Sequence, residues 1–332
     1  MLVAAGAGRS DSGPLQNNKS QSVKSCLRRI CPDGGMSLVS PAMKTASPAV
    51  ITVIGRDQKG VVAKVSTYLA ERKINIEHID QKVMEGLFIM TMLVDLSDLS
   101  ISLDTLILDL KGLGEELKME VSVRLYGEKS RRRIAVLVSR EGHCLERLAH
   151  DHREGKLGAD ISVVLSNHQD LAPLAEKYSL PFRYFPSDDK AAHTSFLLNE
   201  LSQAQPDYVV LARYMQVLTA EVVAAYPSKI LNIHPSLLPY YPGASAYKQA
   251  YEAGIRVCGC TAHFVTDELD EGPIVLQDVF RIEVGDDSLE EVKARGRRLE
   301  SEVLARAVHL VVSDQVVVAD GKVLFRPGRL DP

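Results

Sequence analysis

Apolar and polar positions show no helical or strand period over the first 48 residues, and then recur regularly from Ala49. AVITVI at 49–54 reads as a strand, the chain turns between Gly55 and Gly60, and Val61, Val65 and Leu69 follow at the spacing that gathers side chains on one helix face. Ile74 to Val83 alternates, Leu87 to Asp95 (LFIMTMLVD) is a strong strand, Leu103 to Leu117 has an amphipathic helical period, and Met119 to Tyr126 alternates again. The order βαββαβ is a ferredoxin-like pattern. GEKSRRR at 127–133 is polar, lies between apolar runs and reads as a linker.

From residue 134 the strands become continuously apolar: IAVLVS at 134, ISVVLS at 161, FRYFP at 182, YVVLA at 208 and ILNIHP at 230. Helical stretches fall between them at Cys144–Ala149, Leu171–Tyr178 and up to Leu201. That alternation predicts a Rossmann-like, mostly parallel sheet covered on both faces. Ligands of such sheets bind beyond the carboxyl ends of the strands, which directs attention to Arg213–Leu218 and Asn232–Tyr247. Towards the end, Ser288 to Val312 has a long charged helical pattern, and Asp320-Gly321 between two apolar runs is a hairpin signal; both read as packing elements.

The chain has 332 residues, enough for two domains with sizeable cores, and its 45 % hydrophobic and 25 % charged residues are ordinary globular values. The expected division is a disordered leader at 1–48, a ferredoxin-like domain at 49–126, the linker, and an α/β domain at 134–332. Lys plus Arg is 39 against 43 for Asp plus Glu, so there is no basic excess to neutralise phosphates, and nucleic acid is not an expected partner. No apolar run approaches the ~20 residues of a bilayer span, so no membrane partner is expected either. Five cysteines, Cys26, Cys31, Cys144, Cys258 and Cys260, form neither a paired framework nor a CxxC site, which points to a reducing, cytoplasmic compartment. The leader holds six basic residues against Asp11 and Asp33 and lacks the apolar core of a secretory signal. It reads either as an extension upstream of a later start at Met36 or Met43, or as a transit peptide that would make the location mitochondrial.

Candidate chemistry concentrates in two segments. KILNIHPSLLPYYPG at 229–243 places Asn232 and His234 two positions apart on a strand, hence on one face, and stiffens the exit with three prolines. TAHFVTDELDEGPIVLQ at 261–277 ends a strand in an acidic loop with Asp267, Glu268, Asp270 and Glu271. A carboxylate beside a histidine holds its tautomer and positions a water, and an amide donor stabilises a developing oxyanion. Taken singly, each group also has a bland reading as a turn former, a satisfied polar residue or a solvated loop. His143 and Cys144 are adjacent but lack partners at metal spacing, so no metal is expected.

NIHPSLLP followed by HFVTDELDEGPI resembles the folate-dependent formyltransferase family, and the likeness spans about 134–325. The resemblance implies that Asn232, His234 and Asp270 are catalytic. It also implies that Arg213, Met215, Gln216, Val217, Leu218, His263 and Asp267 contact the folate, although Gln216 stands where relatives often have Arg. The Gly-x-Asp-x-x-Gly turn and INIEHIDQ of residues 49–126 resemble the ACT domain, a small-molecule-sensing module that commonly self-associates through sheet edges. This implies a homo-oligomer and an amino-acid effector such as glycine or methionine at the interface, near Asp57, Gly60 and Asn75; a module that only assembles subunits stays open, because the turn glycine is required by backbone geometry either way. The fused N-terminal module, V-S-x-E-x-H-C-L at 138–145 and the 243–247 stretch together resemble the deformylase branch of the family. That branch passes the formyl group of 10-formyltetrahydrofolate to water, supplies formate for purine biosynthesis, balances one-carbon pools, and needs no cofactor beyond the folate substrate. Transfer to an amine such as glycinamide ribonucleotide stays open, because Pro235 follows His234 as it does in the ribonucleotide transferases. A non-catalytic folate or amino-acid sensor built from the same folds is the third reading.

Overall fold

The apolar run of β1 (Pro48–Arg56), followed by α1 (Val61–Glu71), β2 (Asn75–Met84), β3 (Leu87–Asp95), α2 (Leu103–Leu117) and β4 (Met119–Leu125), builds an antiparallel sheet in the order β2-β3-β1-β4. The structure is a computed structural model and describes residues 48–125, 131–240, 245–283, 285–319 and 321–326. The leader reading, most of the linker, Gly243, Ala244 and Asp320 therefore lie outside the described residues. Ala49, Ile51 and Val53 of β1 and Phe88, Met90, Met92 and Val94 of β3 share one sheet face with the stripes Val61, Val65, Leu69 and Leu106, Leu110, Leu117 of the two helices. The βαββαβ expectation holds, with one local difference: Gly55 still belongs to β1, paired with Phe88 and Met119, and the turn begins at Asp57. Gly60 closes that turn at φ 87°, a conformation a side chain resists, and caps α1.

The second sheet starts with β5 (Arg132–Val138), two residues inside the stretch read as linker. It continues through α3 (His143–Arg153), β6 (Ala159–Ser166), α4 (Ala172–Lys177), β7 (Phe182–Tyr184), α5 (Lys190–Ala204), β8 (Tyr208–Leu211), α6 (Ala220–Ala225), β9 (Ile230–His234), α7 (Ala246–Glu252), β10 (Val257–Phe264) and β11 (Ile274–Arg281). Strand order is β11-β10-β9-β8-β5-β6-β7. β5 to β9 are parallel, and β10 runs antiparallel to both β9 and β11, so the sheet is mostly parallel. Ile134, Val136 and Val138 pack towards α3 and towards α8 (Leu289–Val312), while Ala135 and Leu137 pack towards α5 and α6. Burial on both faces explains why these strands are uniformly apolar. The chain enters at β5, builds outward to β7 and then crosses back to β8, so the order reverses between β5 and β8, where α/β sheets open a crevice. No helix among the described residues is long and apolar enough to cross a membrane.

The expected C-terminal hairpin forms from β12 (Val316–Ala319) and β13 (Lys322–Phe325), and its place is unexpected. Val317, Ala319 and Leu324 cover Ile54, Leu87 and Ile89 on the face of the first sheet that its own helices leave open. Lys322 reaches Glu85 at 2.8 Å, and Asp314, just past α8, pairs with Arg124 at the end of β4 and with Arg132 at 3.4 Å. Ile89, fully buried beneath the hairpin, carries a direct test: Ile89→Ala should cost about 2–5 kcal/mol in urea unfolding. A loss below ~1 kcal/mol would mean that this face is open to water.

Candidate active site

β9 and β10 pair in a register that sets Asn232 opposite His263 and His234 opposite Thr261. The register is clamped at Thr261, whose fully buried hydroxyl donates to the Ser236 carbonyl at 2.7 Å. The same oxygen accepts from Leu238 N–H at 3.1 Å and from the Gln277 amide at 2.9 Å, fixing the chain as it leaves β9. Beyond β10 the chain loops back so that Phe264 N–H meets the Pro273 carbonyl at 2.9 Å. At Gly272 a Cβ would stand 1.7 Å from the Phe264 carbonyl oxygen, so only glycine lets the loop fold this tightly. Asp270 sits within it at φ 58°, and its carboxylate lies 3.4 Å from His234 Nδ1 and 3.8 Å from His263 Nε2.

Hydrogen-bond logic orients the amide. His263 Nδ1 donates to the Phe264 carbonyl at 3.0 Å, leaving its Nε2 lone pair to accept from Asn232 Nδ2 at 3.1 Å. Burial lowers the His263 pKa below its usual value, and the Phe264 carbonyl and Asp270 oppose that only in part, so the ring is neutral near pH 7. One Asn232 N–H is thus engaged and the other is left for the cavity that Asn232 lines.

That cavity, about 570 Å³, is lined by all ten residues expected to be catalytic or to contact the folate: Asn232, His234, Asp270, Arg213, Met215, Gln216, Val217, Leu218, His263 and Asp267. Met215, Val217 and Leu269 are 54 %, 65 % and 62 % exposed, an apolar rim suited to a flat aromatic ligand. The 211–218 loop is tied across the β5/β8 reversal, where Met215 N–H donates to Ser139 Oγ at 2.9 Å and Arg213 Nε to Glu141 at 3.0 Å.

Further residues line the cavity, among them Glu141 and Tyr247, which lie in stretches the sequence had pointed to without giving them a role, and Lys248, Lys293, Arg297 and Glu300, which sequence reasoning missed. Glu300 is 1 % exposed and receives His143 Nε2 at 3.0 Å and Arg213 Nε at 3.3 Å. Burial works against the Arg213 charge, yet Glu300 and Glu141 outweigh it and raise its pKa. Burial would likewise raise Glu141, but Arg213, with help from His143 and Arg297, holds it below its ordinary value. The missed signal was a carboxylate inside the apolar stripe of α8, four residues after the buried Gly296. His143, Cys144 and Glu300 bring three ligand-type atoms within 4.8 Å of one another, with Arg213 already on the carboxylate.

Substituting Gly272→Ala should push the loop away from β10 and separate Asp270 from His234. The expected readout is a shift of the His234 ring resonances in NMR spectra of a protein that still unfolds cooperatively; unchanged resonances would show that the loop tolerates a side chain.

A Formyl transferase model matches residues 132–308, and an ACT domain model matches residues 47–124. Formyltetrahydrofolate deformylase of Bacillus subtilis is 39 % identical over 273 residues, covering 81 % of this chain and 90 % of that protein. Its Escherichia coli counterpart is 37 % identical over 290 residues, covering 85 % and 100 %. Among solved structures, a formyltetrahydrofolate deformylase from Pseudomonas syringae pv. tomato superposes with a TM-score of 0.77 at 34 % identity, covering 86 % of this chain and 96 % of that one. Glycinamide ribonucleotide transformylase 1 from Symbiobacterium toebii superposes with a TM-score of 0.57 at 32 % identity, covering 61 % and 96 %. Matched over most of its own length and nearly all of theirs, the chain belongs to the formyltetrahydrofolate deformylases, within the formyl transferase family.

Proposed function

We propose that this protein hydrolyses 10-formyltetrahydrofolate to tetrahydrofolate and formate. The observation that carries the reading is the convergence of Asn232, His234 and Asp270 on one cavity whose rim offers an apolar platform for the pterin. The folate docks against the 213–218 loop, with His263 and Asp267 on its side, and turns its formyl carbon towards these three residues. Asp270 holds His234 and the attacking water. As the water oxygen bonds to the formyl carbon, the carbonyl electrons move onto oxygen, and Asn232 and His234 donate to that oxyanion. The Asp270–His234 pair takes a proton from the water and N10 receives one as its bond to carbon breaks, so tetrahydrofolate, formate and one proton leave. No cofactor beyond the folate substrate enters this scheme. The reaction is assigned to the cytoplasm, where Cys144, Cys258 and Cys260 stay free and the formate can feed purine synthesis.

Transfer to an amine keeps one supporting observation, Pro235 directly after His234. Incubation with 10-formyltetrahydrofolate alone should release formate and tetrahydrofolate, whereas turnover strictly dependent on glycinamide ribonucleotide would install the transfer reading. No turnover with either would favour the sensor. Asn232 is the sharpest probe within the site: Asn232→Ala should fold and lose about 10²- to 10³-fold in kcat. A near-normal kcat would remove it from the machinery.

We assign regulation and assembly to the first sheet. β2 and β4 are its edges, and β2 exposes Ile79 and Val83 at 43 % and 45 %, which supports pairing with a second copy. Asp57 and Gly60 share the turn before α1, the candidate contact for an amino-acid effector. Asn75 does not join them: it opens β2 beside Asp95, at the other end of the sheet, roughly 30 Å away by strand rise. A site using all three needs two copies of the chain. An amino-acid panel including glycine and methionine should change the rate of the full-length protein, and light scattering should find more than one subunit; a flat panel would end the sensing assignment and a monomer the assembly assignment.

A further inference from the structure

The charges lining the cavity are not evenly spread. Asp267, Glu268 and Asp270 come from the loop after β10, whereas Arg213, Lys248, Lys293 and Arg297 line the wall built by α7, α8 and the start of the 213–218 loop. The carboxylates on that second wall, Glu141 and Glu300, are both engaged by the half-buried Arg213, at 3.0 and 3.3 Å. Lys293 has Glu290 at 2.7 Å and Lys248 has Glu252 at 3.8 Å, each a surface carboxylate on its own helix. Among the described residues Arg297 has no ion pair within 4.0 Å, although it stands on the α8 face that carries Lys293 one turn before it and Glu300 one turn after. Arg297 and Glu141 line the same cavity. A guanidinium without a carboxylate, half-buried in a cavity and backed by a second cation, is complementary to a planar anion that can accept two parallel N–H bonds.

We propose that Arg297, seconded by Lys293, is a carboxylate-binding subsite of this cavity. The inference rests on the hydrolytic reading, which offers two sources of the same chemistry: the formate released beside His234, and the glutamate tail of the folate. Either use draws an anion to the wall away from Asp270, where the carboxylates of the acidic loop would repel it.

The test uses the full chain with Arg297→Gln, Arg297→Lys, and Arg298→Gln as a control for net charge, Arg298 being the exposed neighbour off this face. Initial rates are measured with added formate, and KM is compared between 10-formyltetrahydrofolate and 10-formyltetrahydropteroate, which lacks the glutamate. A subsite for formate requires Arg297→Gln to weaken formate inhibition about tenfold with KM for both substrates unmoved. A subsite for the tail requires about a tenfold rise in KM for the glutamate-bearing substrate only. Arg297→Lys should recover part of either effect, having the charge but not the fork. The proposal is overturned if Arg297→Gln leaves both quantities within twofold of wild type, or if Arg298→Gln reproduces the change. Line broadening of labelled formate by the substrate-free protein reads the formate arm without turnover. Absence of formate from wild-type reactions instead counts against the hydrolytic reading itself.

Discussion

Asn232 faces His263 because β9, parallel to its neighbour β8, is antiparallel to its neighbour β10. Side chains alternate along a strand, so slipping this pairing by one residue would turn Asn232 and His234 away from His263 and Asp270 together. The clamp at Thr261 resists that slip, with one hydroxyl oxygen holding the exit of β9, the side chain of β11 and the backbone beyond Ser236 in a single geometry. Gly272 then sets the height of the acidic loop over the strand ends. A parallel sheet alone would have directed its loops outward at one end. The antiparallel step lets β10 return past β9 and deliver a second histidine and a carboxylate to the same place.

A second constraint is electrostatic. Glu300 is buried within the core-facing stripe of a long helix, where an unpaired carboxylate would be costly. Arg213 and His143 compensate it, and Arg213 is drawn by the same interaction to the base of the 213–218 loop. Pairs of this kind contribute modestly to stability but are costly to break by halves. Their effect here is positional: the carboxylate of α8 and that of the β5–α3 turn both meet Nε of one guanidinium. The loop that lines the cavity is thereby referenced to the sheet and not only to its own backbone.

Much of this was legible in the chain itself. Period-3.6 patterns found the helices flanking the first sheet because each buries one face and leaves the other to water, whereas β1 and β3 stood out as apolar runs buried on both faces. The uniform runs at 134, 161, 208 and 230 announced a sheet covered twice. Asn232, His234 and Asp270 were identifiable from their motifs. Local pattern does not encode which side chains meet across long separations, so Glu300 passed as one more charge on a charged helix and the role of Gly272 went unseen. Asn75 was grouped with Asp57 and Gly60 by the resemblance to the ACT domain, and local pattern does not reveal that β1 and β2, each antiparallel to β3, begin at the same end of the sheet and so set Asn75 apart from that turn within one copy. Hairpin chemistry at Asp320-Gly321 foretold the hairpin but not its seat, because the partner surface lies more than two hundred residues away in sequence.

That seat means that the two halves of the chain do not come apart cleanly. The first sheet has its own helices on one face only, and its other face is completed by residues that follow the catalytic elements in sequence. Cutting the chain before β5 would leave Ile54, Leu87 and Ile89 bare on one fragment and Val317, Ala319 and Leu324 bare on the other, with Asp314 deprived of Arg124. An ancestral fusion joined by a tether alone could exchange its N-terminal module for another at little cost. This chain has traded that freedom for a mortised joint, in which the last strands of the polypeptide serve as the missing layer of the first.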